Sequence, residues 1–126
     1  MTISRARLIL LACASGLLYP LSFPAFDLGM VAWFALVPLH IAVEYLSPGR
    51  AFRIGWLSGT LAFTGSMFWV ITAMNVYGKV PFPIATLVML LLTVYLGLYM
   101  AVYAGGLSWI RTAFPTLGFL PAPFLW

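Results

Sequence analysis

Residues 51–83 read AFRIGWLSGTLAFTGSMFWVITAMNVYGKVPFP, and this stretch contains the clearest structural signal in the chain. Arg50 directly precedes this stretch and Arg53 lies near its start, and an uncharged apolar run follows over residues 54–74. About 20 apolar residues in a helix are long enough to cross the roughly 30 Å hydrocarbon core of a bilayer. The run therefore predicts a membrane-spanning helix over residues 52–74.

Composition indicates that the whole chain is solvated by lipid. The 126 residues are 64% hydrophobic and only 6% charged, whereas about a quarter of the residues of a soluble domain are charged. Such a small polar fraction cannot cover a body that faces water. The formal net charge of +4 is spread along the chain, so we expect no nucleic-acid partner; in a membrane protein the positions of the charges carry the information.

Four apolar runs and the beginning of a fifth predict an all-α, polytopic transmembrane helix bundle. Turn-forming residues separate the runs, for example Pro24 after the first and Ser-Pro-Gly at 47–49 after the second. Pro38 lies inside the second run and is expected to kink it, because proline removes a backbone donor. The predicted spans are residues 5–23, 28–46, 52–74 and 84–110, with the start of a fifth at 119–126.

The first run has two possible interpretations. Its basic start and the Leu-Leu-Ala sequence before Cys13 resemble a lipoprotein signal peptide. However, the apolar segment before Cys13 covers only residues 8–12, which is shorter than the roughly 7–15 residues that such signals use. We therefore favour a first membrane helix, in which Cys13 is a small buried residue and not a nucleophile.

The basic residues indicate how the chain is oriented. If successive helices alternate in direction, Lys79 and Asp27 lie on one side and all the arginines lie on the other. The basic side of a membrane protein is usually cytoplasmic. The amino terminus is therefore expected in the cytoplasm, and the loops at 24–27 and 75–83 are expected outside. The arginines in question are Arg5, Arg7, Arg50, Arg53 and Arg111.

Small residues recur along the third run at steps of three and four. Gly55 and Gly59 form a small-xxx-small pair, which allows a second helix to approach closely. Ser66 and Trp69 lie further along the same stripe. We expect Gly55, Gly59 and Ser66 to pack against another helix.

Polar groups inside the runs are few. Tyr95, Tyr99 and Tyr103 share one helical face, and we expect this face to meet protein because buried phenols need hydrogen-bond partners. His40 and Glu44 also share a face, which leaves open a metal or proton site, or a small four-helix transporter subunit with Glu44 as the coupling site. Because Glu44 ends its run beside basic residues, we favour an interfacial carboxylate and expect no metal or cofactor.

Several motifs, in this order, resemble those of the apolipoprotein N-acyltransferases. The similarity extends from about residue 16 to the last residue of the chain. It rests on the order and spacing of the motifs rather than on any single one. They are Phe-Pro-Ala-Phe-Asp at 23–27 with Trp33, Ala-Phe-Arg-Ile-Gly-Trp at 51–56 followed by Gly59, Gly65 and Trp69, Tyr77-Gly78 with Pro81, Tyr-Leu-Gly-Leu-Tyr at 95–99, and Ala-Pro-Phe-Leu-Trp at 122–126.

The resemblance implies an enzyme of the bacterial inner membrane with eight membrane helices and a periplasmic nitrilase-like domain. A Glu–Lys–Cys triad in that domain would transfer an acyl chain from a phospholipid, through a thioester, to the N-terminal diacylglyceryl-cysteine of an apolipoprotein. No residue of this chain matches the triad, and Cys13 lies far upstream of it. We therefore expect residues 1–126 to be the N-terminal transmembrane domain, a fragment that is inactive alone.

Aromatic and polar residues at the predicted outer end of the third helix are candidates for the path by which lipid substrates reach the catalytic domain. Trp and Tyr are enriched at membrane interfaces for general reasons, so a simple aromatic belt is the competing interpretation. A structural membrane module without chemistry is a further possibility. The candidate residues are Trp69, Asn75, Tyr77, Gly78 and Pro81.

Overall fold

The computed structural model describes residues 4–22, 28–117 and 120–122. The loop at 23–27, predicted to face out, and most of the predicted start of a fifth span at 119–126 lie outside these residues. All regular secondary structure in the described residues is helical, which confirms the all-α prediction for them. The helices are α1 (Arg5–Leu21), α2 (Ala32–Ala35), α3 (Val37–Glu44), α4 (Pro48–Met67), α5 (Trp69–Val76) and α6 (Phe82–Ala113), with 3₁₀ turns at Gly29–Val31 and Pro115–Leu117.

The second apolar run is interrupted rather than kinked. Helix α2 ends at Ala35 and α3 begins at Val37, one residue before Pro38. Proline is tolerated in the first turn of a helix, because an amide there has no intrahelical partner to lose. In a continuous helix, Pro38 would instead remove an amide from the hydrogen-bond ladder. A new helix therefore starts just before it.

The third run is bent by 46° between α4 and α5, close to Phe68. Sharp bends commonly occur at Gly/Ser pairs, and Gly65 and Ser66 stand just before this one. The Ser66 hydroxyl donates to the carbonyl oxygen of Ala62 at 2.8 Å, a back-bond that often bends helices. The bend turns Trp69 away from the stripe of small residues, and this side chain is 57% exposed.

Helices α4 and α6 pack antiparallel, and glycines line their contact. A Cβ atom added to Gly55 would lie 2.7 Å from the carbonyl oxygen of Met100, and one added to Gly59 would lie 3.1 Å from Cα of Gly97. From α6, a Cβ atom added to Gly97 would lie 3.0 Å from the backbone nitrogen of Thr60. Since backbone atoms cannot move aside cheaply, a side chain at these positions would separate the helices.

Helix α1 packs against another side of α4 and runs parallel to it. A Cβ atom added to Gly16 would lie 2.6 Å from the carbonyl oxygen of Ser58, and one turn further along Gly65 contacts the ring of Pro20. Ser58 is 1% exposed, and its hydroxyl has no hydrogen-bond partner in the part of the chain that the structure describes. The role of Ser58 in this contact is therefore to be small, so that the two helices can approach closely, as the glycines do elsewhere.

Helix α3 closes the bundle by packing against α6 in parallel. Hydrogen bonds from side chains join segments that are distant in sequence. The Ser15 hydroxyl donates to the Ala35 carbonyl at 2.6 Å, and the Ser108 hydroxyl donates to the Leu46 carbonyl at 2.7 Å. The buried core of the bundle consists of Leu39, Val43, Ala51, Met100, Tyr103, Ala104 and Leu107.

Among the described helices, α6 alone is long and apolar enough to cross a membrane as one straight segment. The bent pair α4–α5 would provide a second crossing if it is one broken span. At a rise of about 1.5 Å per residue, the 32 residues of α6 extend well beyond a hydrocarbon core of roughly 30 Å. Of the four predicted spans, the structure thus supports one by length and composition, or two when the bent pair is taken as one span.

Gly59→Ala is expected to lower the free energy of unfolding by about 1–3 kcal/mol, because the added methyl group meets backbone atoms of α6. The matched control is Gly106→Ala in α6, where a Cβ atom meets nothing within 4 Å. This control is expected to leave stability unchanged or to raise it by up to about 1 kcal/mol. Thermal unfolding of the purified protein in detergent measures both variants, and equal midpoints would contradict the close approach.

Candidate functional site

The loop between α5 and α6 contains most of the candidate residues, and two hydrogen bonds hold it closed. The Asn75 side-chain amide donates to the carbonyl oxygen of Val80 at 2.9 Å. The backbone amide of Val80 donates to the carbonyl oxygen of Met74 at 3.1 Å. Lys79, at the tip, has a positive φ of 54°, which is uncommon for a residue with a side chain. The Asn75 side chain therefore serves to shape the loop.

Gly78 and Pro81 also shape this loop through the backbone. A Cβ atom added to Gly78 would lie 2.7 Å from the carbonyl oxygen of Met74. The carbonyl oxygen of Pro81 accepts hydrogen bonds from the amides of Ile84 and Ala85, both at 3.0 Å, and so begins α6. These two candidates are positioned to hold the loop in shape rather than to contact a substrate.

The two aromatic candidates are exposed. Trp69 is 57% and Tyr77 is 86% exposed, and α5 contains no fully buried residue. Phe68 and Phe82, on either side of the loop, are also more than half exposed. Trp69 begins α5 and Tyr77 directly follows this helix, so one short segment carries both exposed rings, which we call the aromatic surface.

An open apolar cleft of about 540 Å³ lies elsewhere, along α6 beside Phe63 of α4. The rings of Tyr95 and Tyr99 meet edge to face there, with centroids 6.0 Å apart. These two tyrosines are exposed, whereas Tyr103 is only 5% exposed. Of the predicted tyrosine face, Tyr103 alone is buried against protein within the described chain. The cleft is lined by Phe63, Tyr95, Leu98, Tyr99, Met100, Val102 and Tyr103.

His40 joins α3 to α6 through one of its two hydrogen-bonded ring nitrogens. Nδ1 lies 2.9 Å from the carbonyl oxygen of Leu36, and Nε2 lies 2.6 Å from the hydroxyl of Tyr103. A carbonyl oxygen can only accept, so Nδ1 carries the proton and Nε2 accepts from the tyrosine hydroxyl. Both ring nitrogens of His40 are therefore hydrogen-bonded, one locally at the start of α3 and the other across to α6.

This arrangement counts against a metal or proton-coupling site at His40 and Glu44. Glu44 is the last residue of α3 and is exposed. Over residues 4–22, 28–117 and 120–122, no three His, Cys, Asp or Glu side chains come together as a metal would require. Cys13, in α1, is a partly buried free thiol. The transporter alternative thus has no support from these positions.

The sequence did not predict the hydrogen bond between His40 and Tyr103, because the two residues lie 63 positions apart.

Tyr103→Phe removes only the hydroxyl group and is expected to lower the free energy of unfolding by about 1 kcal/mol. Tyr77→Phe removes the same group from an exposed side chain and is the control, with no change expected. Unfolding in detergent compares the two variants, and equal stabilities would mean that the bond contributes nothing.

Comparison with known proteins shows which family this chain resembles. A sequence family described as "Apolipoprotein N-acyltransferase N-terminal domain" matches residues 15–126. The apolipoprotein N-acyltransferase of Geobacter metallireducens is 39% identical over 95 residues, which cover 75% of this chain and 18% of that protein. The apolipoprotein N-acyltransferase of Shewanella oneidensis is 34% identical over 128 residues, covering 98% of this chain and 24% of that protein.

The chain thus spans about a fifth to a quarter of the length of these curated relatives. The Pseudomonas aeruginosa apolipoprotein N-acyltransferase has a similar relationship, with 32% identity over 95 residues and 19% of its length covered. The family match covers most of the chain. This chain therefore belongs to the apolipoprotein N-acyltransferases and corresponds to their N-terminal domain.

Proposed function

We propose that this chain is the membrane-embedded N-terminal part of an enzyme that transfers an acyl chain from a phospholipid to the N-terminal diacylglyceryl-cysteine of an apolipoprotein, a step of lipoprotein maturation. The observation that carries this proposal is the family match over residues 15–126. Because the chain spans only about a fifth of its relatives, we place the catalytic Glu–Lys–Cys triad in a nitrilase-like domain elsewhere in the complete polypeptide. The chain would then be inactive alone.

We further propose that the bundle crosses the membrane four times, over residues 5–23, 28–46, 52–74 and 84–110. The directions of the packed helices support this. Helix α1 runs parallel to α4, since Gly16 meets Ser58 and Pro20 meets Gly65. Helix α6 runs antiparallel to α4, as an alternating series of spans requires. Broken segments are acceptable in a membrane where neighbouring helices and side chains satisfy the backbone groups.

The proposed orientation, with the amino terminus in the cytoplasm of a bacterium and the spans in its inner membrane, follows from where the charges lie. Arg5, Arg50 and Arg53 line a single pocket at one end of the bundle. Arg111 lies in the last turn of α6, near the same end. Lys79 lies in the loop at the other end. An excess of arginine on one side favours that side as the cytoplasmic one.

Cysteine labelling tests this orientation in the full-length enzyme with Cys13→Ala and with its other cysteines, including the proposed catalytic one, also replaced. Lys79→Cys is expected to react with a membrane-impermeant maleimide in intact spheroplasts, because the α5–α6 loop faces out. Ser47→Cys, exposed just before α4, is the control and is expected to react only after the membrane is opened. The reverse pattern would overturn the orientation without affecting the family assignment.

We propose that the outer aromatic surface, together with its loop, forms part of the wall along which lipid substrates approach the catalytic domain. Its support is the combination of exposed Trp69 and Tyr77 with a loop held in shape by Asn75, Gly78 and Pro81. A rigid loop that presents large amphipathic rings at the interface is suited to contact a headgroup and an acyl chain together.

The double variant Trp69→Ala/Tyr77→Ala, made in the full-length enzyme that carries this domain, is expected to lower kcat/KM for acyl transfer about tenfold, which corresponds to about 1.4 kcal/mol of lost transition-state stabilisation. The matched control is Trp109→Ala, an equally exposed tryptophan near the opposite end of α6. Its activity is expected to stay near that of the parent enzyme. Equal activity of both variants, at equal amounts of folded protein, would reduce the outer surface to an aromatic belt.

A further inference from the structure

A second pocket lies at the opposite end of the bundle from the aromatic surface, between the start of α1 and the start of α4. It has a volume of about 320 Å³. Three of its seven lining residues are arginines, one from α1 and two from α4, and the other four are aliphatic. The lining consists of Arg5, Leu8, Ile9, Leu46, Arg50, Arg53 and Ile54.

The charges in this pocket are not balanced by acids in its lining. Glu44 is the single acid among the described residues, and it does not line the pocket. Guanidinium groups bind phosphate oxygens through pairs of charge-assisted hydrogen bonds. Three of them around one cavity therefore provide a site for a phosphate-bearing anion.

The aliphatic part of the pocket indicates which anion. Leu8 is buried, and Leu46 and Ile54 pack against the hydrophobic core of the bundle. These residues give the pocket a fixed apolar wall beside its basic rim. Free phosphate has no apolar surface to pack against this wall, whereas a phospholipid presents a charged headgroup and an acyl chain together.

We propose that this pocket binds the headgroup of an acidic phospholipid of the cytoplasmic leaflet, with Arg5, Arg50 and Arg53 on the phosphate. The proposal rests on the orientation given above but not on the acyl-transfer reaction. The tendency of arginines to lie on the cytoplasmic side does not account for the arrangement, because it does not require residues 45 positions apart to line one cavity. The lipid would hold α1 against α4 at their cytoplasmic ends, far from the outer surface that we assign to substrate.

Native mass spectrometry of the detergent-purified protein, with added phosphatidylglycerol as the probe, tests this site. The Arg50→Gln/Arg53→Gln variant is expected to bind the lipid roughly 30-fold more weakly, since each basic residue near an anionic headgroup contributes about fivefold. The matched control is Arg7→Gln, an exposed arginine of α1 that does not line the pocket, and it is expected to bind as the parent does. Helical content by circular dichroism shows whether each variant is folded.

Two results would overturn the proposal. One is equal lipid binding by the pocket variant and the Arg7→Gln control. The other is displacement of the bound lipid by millimolar inorganic phosphate, because the site would then recognise the anion alone. Since lipid binding is read directly, a full-length enzyme that lacked acyl-transfer activity would count against the proposed function and leave this result unaffected.

Discussion

The whole structure depends on the close approach of α4 to its neighbours. Lipid tails are as apolar as the side chains, so burying apolar area provides no force between helices in a membrane, and tight van der Waals contact has to replace it. Gly55 and Gly59 provide that contact toward α6, and Ser58 meets Gly16 on the side of α1. Each of these positions would lose its contact if a larger side chain kept the backbones apart.

On α4 the fully buried residues are all small, and the large side chains remain at least partly exposed. Trp56 follows Gly55 directly, is 39% exposed, and still needs a partner for its indole N–H in a low-dielectric medium. It donates to the carbonyl oxygen of Val94 at 3.0 Å. Thr64 and Thr93 form a comparable polar contact across α4 and α6, with their hydroxyl oxygens 3.3 Å apart. These two hydrogen bonds therefore reinforce the contact between α4 and α6.

The two ends of the bundle have different chemistry, and the bend between α4 and α5 accentuates the difference. At one end, arginines surround a small pocket with an aliphatic wall. At the other, Trp69 follows the bend and is exposed, and Tyr77 is exposed in the loop before α6. This polarity is the basis for separating a proposed lipid anchor on the basic side from a proposed substrate path on the aromatic side.

Composition, run length and motif order are local properties, so the sequence alone was enough to predict an all-helical chain and its family, and to suggest lipid as its solvent. It also pointed to Gly55 and Gly59 as a place of close approach, without identifying the helix that approaches. Three features came only from the way the helices pack: the exposure of Trp69, the hydrogen bond between His40 and Tyr103, and the presence of Arg5 in one pocket with Arg50 and Arg53. These facts depend on the register between helices, and an apolar residue that faces lipid has the same character in the sequence as one that faces protein.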